Sequence, residues 1–155
     1  MTYKITGLSP EPFSHLIGAS DSELAAAGAV RVSAGADMGW PCRISLEDAK
    51  AGEKLILLHH ISHDVATPYR SAYAIYVREN ADKTAEYVDE TPPVFEGRPM
   101  AFRAFDKDGM LQGAALALPG QADVKIRELF EEQEIAYIHA HNAAHGCFAA
   151  KVERA

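Results

Sequence analysis

Between residues 138 and 148 the chain reads IHAHNAAHGCF, which sets three of its seven histidines and one of its two cysteines within nine positions. Imidazoles and thiols are the side chains that ligate transition metals, carry protons and act as nucleophiles near neutral pH. Two chemistries would use them here. In one, His139, His141 and Cys147 supply three ligands to zinc, with His145, Cys42 or water as the fourth, because zinc accepts tetrahedral sets of nitrogen and sulfur. In the other, His141 takes the proton of Cys147, and Asn142 orients the imidazole or donates to an oxyanion. A third reading gives these residues no chemistry and has them close a packed, hydrogen-bonded hairpin.

Both chemistries depend on one local geometry. Residues 142–146 have the length of a hairpin loop and contain asparagine and glycine, so strands over 135–141 and 147–153 are expected to pair with His141 opposite Cys147. Alternation then sets Ile135, Tyr137, His139 and His141 on one face, with Cys147, Ala149, Lys151 and Glu153 across from them. Directly paired Cβ atoms lie about 4.5 to 5.5 Å apart, close enough for a thiol and an imidazole to interact. A slip of one residue would carry the cysteine to the opposite face.

Further candidates stand away from this hairpin. In Gly39-Trp40-Pro41-Cys42-Arg43 the proline disfavours helix at Trp40, so a rigid loop is expected, with Cys42 and Arg43 in a pocket wall and Arg43 binding an anionic group. The competing reading is a loop anchored by a buried indole. Pro68-Tyr69-Arg70 admits the same pair of readings, with Tyr69 as the ligand contact. His59 and His60 point to opposite faces of a strand and His63 falls in a polar turn beyond it, so this trio is expected mostly at the surface. Ser9, Ser20 and Ser45 fit caps or turns, and neither G-x-S-x-G nor a glycine-rich phosphate loop occurs.

The elements that must carry these residues are written in short units. Ser9 with Pro10 opens a helical turn bearing Phe13, Leu16 and Ile17, and Ser20 with Glu23 has the spacing of a capping box for a short helix that Gly28 stops. Strands are expected at 3–5, 30–33, 54–61, 72–78, 100–105 and 111–118, besides the two of the last hairpin. Asp106-Lys107-Asp108-Gly109 lacks the spacing of a calcium loop and is read as a hairpin turn. One later helix over 123–133 puts Ile126, Leu129 and Phe130 on one stripe.

Length and composition bound the function. With 155 residues, 48% apolar and 24% charged, the chain matches one soluble domain. A net charge of -7 without a basic cluster argues against nucleic acid, and no apolar run reaches the ~20 residues of a membrane helix or forms a signal core. A cytoplasmic location and free thiols are therefore expected.

The residues Pro41-Cys42-Arg43, Asp48-Ala49 with Gly52-Glu53, Pro68-Tyr69, Arg103-Ala104-Phe105-Asp106, and Ile138-His139-Ala140-His141-Asn142-Ala143 with Gly146-Cys147-Phe148 resemble an uncharacterised bacterial family of about this length, the domain of unknown function 1203. The resemblance covers almost the whole chain and implies one bacterial domain. It implies no activity, substrate or cofactor.

The expected fold is α+β, a mainly antiparallel sheet able to curl toward a barrel, with N-terminal helices and one helix before the last hairpin. The expected function is a small-molecule-binding or enzymatic domain whose pocket includes Cys42, Arg43, His139, His141, Asn142 and Cys147. The rival expectation is a non-catalytic structural or interaction module, for instance a homodimer.

Overall fold

Apolar runs broken by glycine, proline and aspartate become nine strands in a computed structural model, which describes residues 1–155. In chain order they are β1 (Tyr3–Thr6), β2 (Val30–Ser33), β3 (Lys54–His63), β4 (Ser71–Arg78), β5 (Glu86–Val88), β6 (Met100–Phe105), β7 (Leu111–Ala117), β8 (Tyr137–Asn142) and β9 (Phe148–Arg154). Two α-helices, α1 (Asp21–Ala26) and α2 (Ala122–Leu129), and two 3-10 turns at Glu11–Leu16 and Pro93–Phe95 complete the set. The class is α+β, as expected.

The strands form two sheets rather than one. Six run in the order β5-β1-β9-β8-β6-β7 and three in the order β2-β3-β4, and all their pairings are antiparallel. Both orders are open, so no closed barrel forms. The physical reason is that each sheet already buries an apolar face in its own core. Ile138, Ala140, Val152, Phe102 and Ala104 of the larger sheet pack with Ile126 and Phe130 from the α2 region. Ile56, Leu58, Ile75 and Val77 of the smaller sheet pack with Phe13, Leu16 and Leu24 from the N-terminal helices.

Local chemistry explains the element ends. Ser20 Oγ accepts from Glu23 N at 3.2 Å and the Glu23 carboxylate takes Ser20 N at 2.8 Å, so the capping box forms and starts α1. Helix α2 stops at Leu129, four residues short of its expected end; beyond it the bonds tighten to Glu131 N–Glu128 O and Glu132 N–Leu129 O, both at 3.2 Å, and Arg154 Nη2 donates to the free carbonyls of Phe130 at 2.7 Å and Glu132 at 3.0 Å. The Asp106 turn closes as read: Asp106 Oδ1 accepts from Asp108 N at 2.9 Å and Met110 N at 3.0 Å, and Gly109 takes φ of 83°. Strand β5 has no counterpart among the expected elements. Three residues are too short to carry a period, and backbone pairing to β1 alone specifies it.

No helix of the chain is long and apolar enough to cross a membrane.

Candidate functional site

The geometry of the last hairpin is decided by one residue. Strand β8 pairs with β9 through Tyr137↔Glu153, His139↔Lys151 and Ala140↔Ala150, after which the register shifts and resumes at His141↔Phe148. Ala149 is the extra residue of a β-bulge, and such a bulge reverses which face the following residues occupy. Phe148 therefore stands against His141, with ring centroids 5.9 Å apart, while Asn142 N donates to Cys147 O at 2.9 Å. The expected pairing of His141 with Cys147 is wrong by this one residue.

Two of the expected arrangements dissolve with it. His139 and His141 belong to the face that carries Tyr137 and Phe148, whereas Cys147 belongs to the opposite one with Asn142. His139, His141 and Cys147 are not brought together as zinc ligands, and no three His, Cys, Asp or Glu side chains are grouped to hold a metal ion. His141 is likewise not the imidazole beside the Cys147 thiol.

A second bulge, where β3 pairs with β4 between Ile61 and His63, corrects the reading of the other histidine trio. The extra residue brings His63 to the same side as His60, so His63 is buried rather than lying in a surface turn, and His60 is half-buried against Phe148 at 6.1 Å. His59 is exposed, as expected. His63 Nδ1 donates to Tyr69 O at 2.9 Å, which leaves Nε2 to accept from Tyr137 Oη at 2.7 Å. The ring of His63 lies 4.0 Å from that of Phe105 and 5.0 Å from that of His139. Tyr69, expected as a ligand contact, instead lends its carbonyl to this cluster.

Burial governs these imidazoles. It pushes His139 down to about 3, the proximity of His63 and His141 lowers it further, and His139 Nδ1 has no hydrogen-bond partner at all. Burial also pushes His141 down to about 4, although its hydrogen bond to Gly146 O opposes the shift. Neutral, desolvated rings packed on phenylalanine make an apolar seam between the sheets. His139 is part of that seam and lines neither cavity described below.

On the opposite face the residues that could do chemistry do converge. Arg43 is 2% exposed, and its guanidinium donates from Nε to Phe148 O at 2.7 Å, from Nη1 to Pro41 O at 2.6 Å and from Nη2 to Cys147 Sγ at 2.9 Å. No carboxylate pairs with it. Burial lowers its pKa from the usual arginine value, and the nearby Cys147 and Cys42 sulfurs work against that lowering. Asn142 Nδ2 donates to the same Cys147 Sγ at 3.4 Å. Cys147 Sγ thus accepts from two N–H donors, one of them a buried guanidinium.

This pair opens on a cavity of about 360 Å³ whose wall includes Arg43, Cys147, Asn142, Arg98, His145 and Tyr76. Arg98 is fixed by a fork onto Asp48, Nη2 to Oδ1 at 2.7 Å and Nη1 to Oδ2 at 2.9 Å. His145, exposed at the loop, is the only imidazole of this wall. Of the expected pocket residues, Arg43, Asn142 and Cys147 are here, whereas Cys42 is not. It is 1% exposed in the core of the smaller sheet, where its Sγ accepts from Arg78 N at 3.3 Å and Ile44 N at 3.4 Å. Both cysteines are free. Sequence reasoning missed Arg98, since nothing local ties it to an aspartate fifty residues earlier.

The loop carrying Arg43 is positioned by its own contacts. Cys42 bridges Tyr76 beside β4, Arg43 N donates to Tyr76 O at 3.1 Å, and Leu8 N donates to Arg43 O at 2.7 Å. These bonds anchor the backbone on both sides, and the guanidinium then reaches 104 residues along the chain to Cys147.

Among known proteins, a family model described as "Protein of unknown function (DUF1203)" matches residues 39–154. No curated protein and no solved structure matches the chain.

Proposed function

Because the chain belongs to this family of unknown function, DUF1203, and takes no activity from it, we propose from the site alone that the protein binds a small organic anion in the Arg43–Cys147 cavity and that Cys147 reacts there as a thiolate. The observation that carries the reading is the buried guanidinium of Arg43, which lacks a carboxylate and bonds the sulfur. A cation withdrawn from water is costly unless compensated. Of its three acceptors, the carbonyls of Pro41 and Phe148 stay neutral, and only the sulfur can carry the opposing charge.

The wall supports an anion over a neutral ligand. Arg98 stands at the same cavity, held in place by Asp48, and no acidic residue belongs to the lining. His145, the exposed imidazole of the same lining, is the group available to exchange a proton with whatever the sulfur attacks. Asn142 keeps its role as donor, now to the sulfur, and Arg43 replaces His141 as the group that prepares Cys147.

Alkylation with a matched pair of reagents tests this. Ordinary thiolates react more slowly with anionic iodoacetate than with neutral iodoacetamide, and Cys147 is expected to reverse that order at pH 7, by about tenfold for one charged contact. Arg98→Gln should reduce the preference with little change in the iodoacetamide rate. A Cys147 that prefers iodoacetamide, or that neither reagent reaches in the folded protein, would sink the proposal.

A further inference from the structure

A second cavity of about 460 Å³ adjoins the first, sharing Tyr73 and His145 with it, and its wall contains Arg70, Arg103, His141, Ser62 and Ser71. The chain has 22 acidic against 15 basic side chains, yet neither cavity wall includes an aspartate or glutamate. Four arginines stand in the two walls, and of these Arg98 and Arg70 are paired with carboxylates, Asp48 and Asp64, outside the lining.

Arg103 is the informative residue. It projects from β6 at the position paired with His139, is half-buried and forms no ion pair, and its positive charge acts on both His139 and His141. A partly desolvated guanidinium without a carboxylate is a standing attraction for an anion. Arg70 approaches from the start of β4, its Nε held by exposed Asp64 at 3.0 Å with the rest of its fork uncommitted. The hydroxyls of Ser62 and Ser71 already donate to Ser71 O at 3.4 Å and Tyr69 O at 3.0 Å, so the donors are the two guanidinium forks, which come from separate segments in different planes and suit a tetrahedral oxyanion better than a planar carboxylate.

His141 narrows the class. Its Nδ1 donates to Gly146 O at 2.9 Å, so the neutral ring keeps a lone pair on Nε2, which has no partner in the protein. An oxyanion that still carries a proton can accept from the arginines and donate to Nε2 at once. Sulfate cannot.

We infer that this second cavity is a subsite for a phosphate group, inorganic or esterified, held by Arg103 and Arg70 with its P–OH directed to His141 Nε2. The subsite does not rest on the thiol chemistry proposed for the first cavity, and the two can fail separately.

The full-length protein, titrated at pH 6.5 with inorganic phosphate, sulfate and acetate in separate arms, tests it by amide and imidazole NMR shifts. Phosphate is expected to move Gly146, Ser71 and the His141 ring, with sulfate and acetate at least about tenfold weaker. Arg103→Gln should weaken phosphate about tenfold or more and leave the rate of Cys147 with neutral iodoacetamide in phosphate-free buffer unchanged; Arg103→Lys, which keeps the charge, should fall between. Sulfate or acetate binding as well as phosphate would overturn the class. Phosphate shifts centred on Arg43 and Cys147, or an affinity indifferent to Arg103, would overturn the site. If Arg103→Gln does not fold, the wild-type shift map and Arg103→Lys decide between the same outcomes.

Discussion

At the scale of single residues, His139 shows what burial does to a group whose type alone suggests chemistry. With its ring among Phe105, Phe148 and Tyr137 and its Nδ1 unpartnered, it is held neutral down to about 3. Its ordinary value of 6.5 returns on unfolding, so between those limits the unfolded chain binds the extra proton and stability falls as pH falls. From pH 7.5 to 5 this one ring should cost about 2 kcal/mol, at about 1.4 kcal/mol per pH unit below 6.5. His139→Phe is expected to remove about 2 kcal/mol of the fall in urea unfolding between the two pH values. His141, held down to about 4, contributes a nearly equal loss over the same range, so the variant keeps about half of the slope. An unchanged slope in His139→Phe would mean that the buried ring is not what the acid titrates.

At the scale of elements, two bulged residues and one glycine decide where the site is. The bulge at Ala149 sends Cys147 to the Arg43 side, and that beside Ile61 brings His63 inward. Alternation gives the faces only while the count is regular, and nothing in the local residue types marks an extra one. Gly7 secures the Arg43 loop: a Cβ there would lie 2.3 Å from Ile44 O, and the adjoining bonds Gly7 N to Ala85 O at 2.9 Å and Leu8 N to Arg43 O at 2.7 Å fix the crossing. Gly7→Ala is expected to destabilise by about 3 kcal/mol, at the upper end of overpacking costs. Gly28→Ala, where φ is 71° and the space around is open, should lose only about 1 kcal/mol. Thermal or urea unfolding of the pair checks the ranking, and equal losses would show that backbone contact at Ile44 does not restrain this loop.

At the scale of the whole molecule, an acidic chain folds so that its carboxylates leave two neighbouring cavities to arginine. Net charge of -7 should repel anions at long range, while Arg43, Arg98, Arg70 and Arg103 attract them at short range. Salt screens exposed, distant charges more than a buried contact, with a Debye length of about 10 Å at 0.1 M. The iodoacetate rate at Cys147 is therefore expected to hold or rise modestly between about 0.02 and 0.3 M sodium chloride, as the long-range repulsion is screened before the buried Arg43 contact. A steep fall would place the attraction in exposed charges instead.

Periodicity and caps made most of the elements legible in the residues alone: the capping box at Ser20, the turn at Asp106 and the strands at 30–33 and 100–105 depend on neighbours within a few positions. The segment carrying Asn142 and Cys147 was legible for the same reason, since their types cluster in one hairpin. Tertiary structure alone decided what those side chains meet. Arg43 reaches Cys147 across 104 residues and Arg98 reaches Asp48 across fifty, distances at which sequence sets no geometry. The division into two sheets depended likewise on which apolar faces found partners, and His139 and His141 were claimed by an apolar seam rather than by the thiol because one extra residue in β9 turned the strand over.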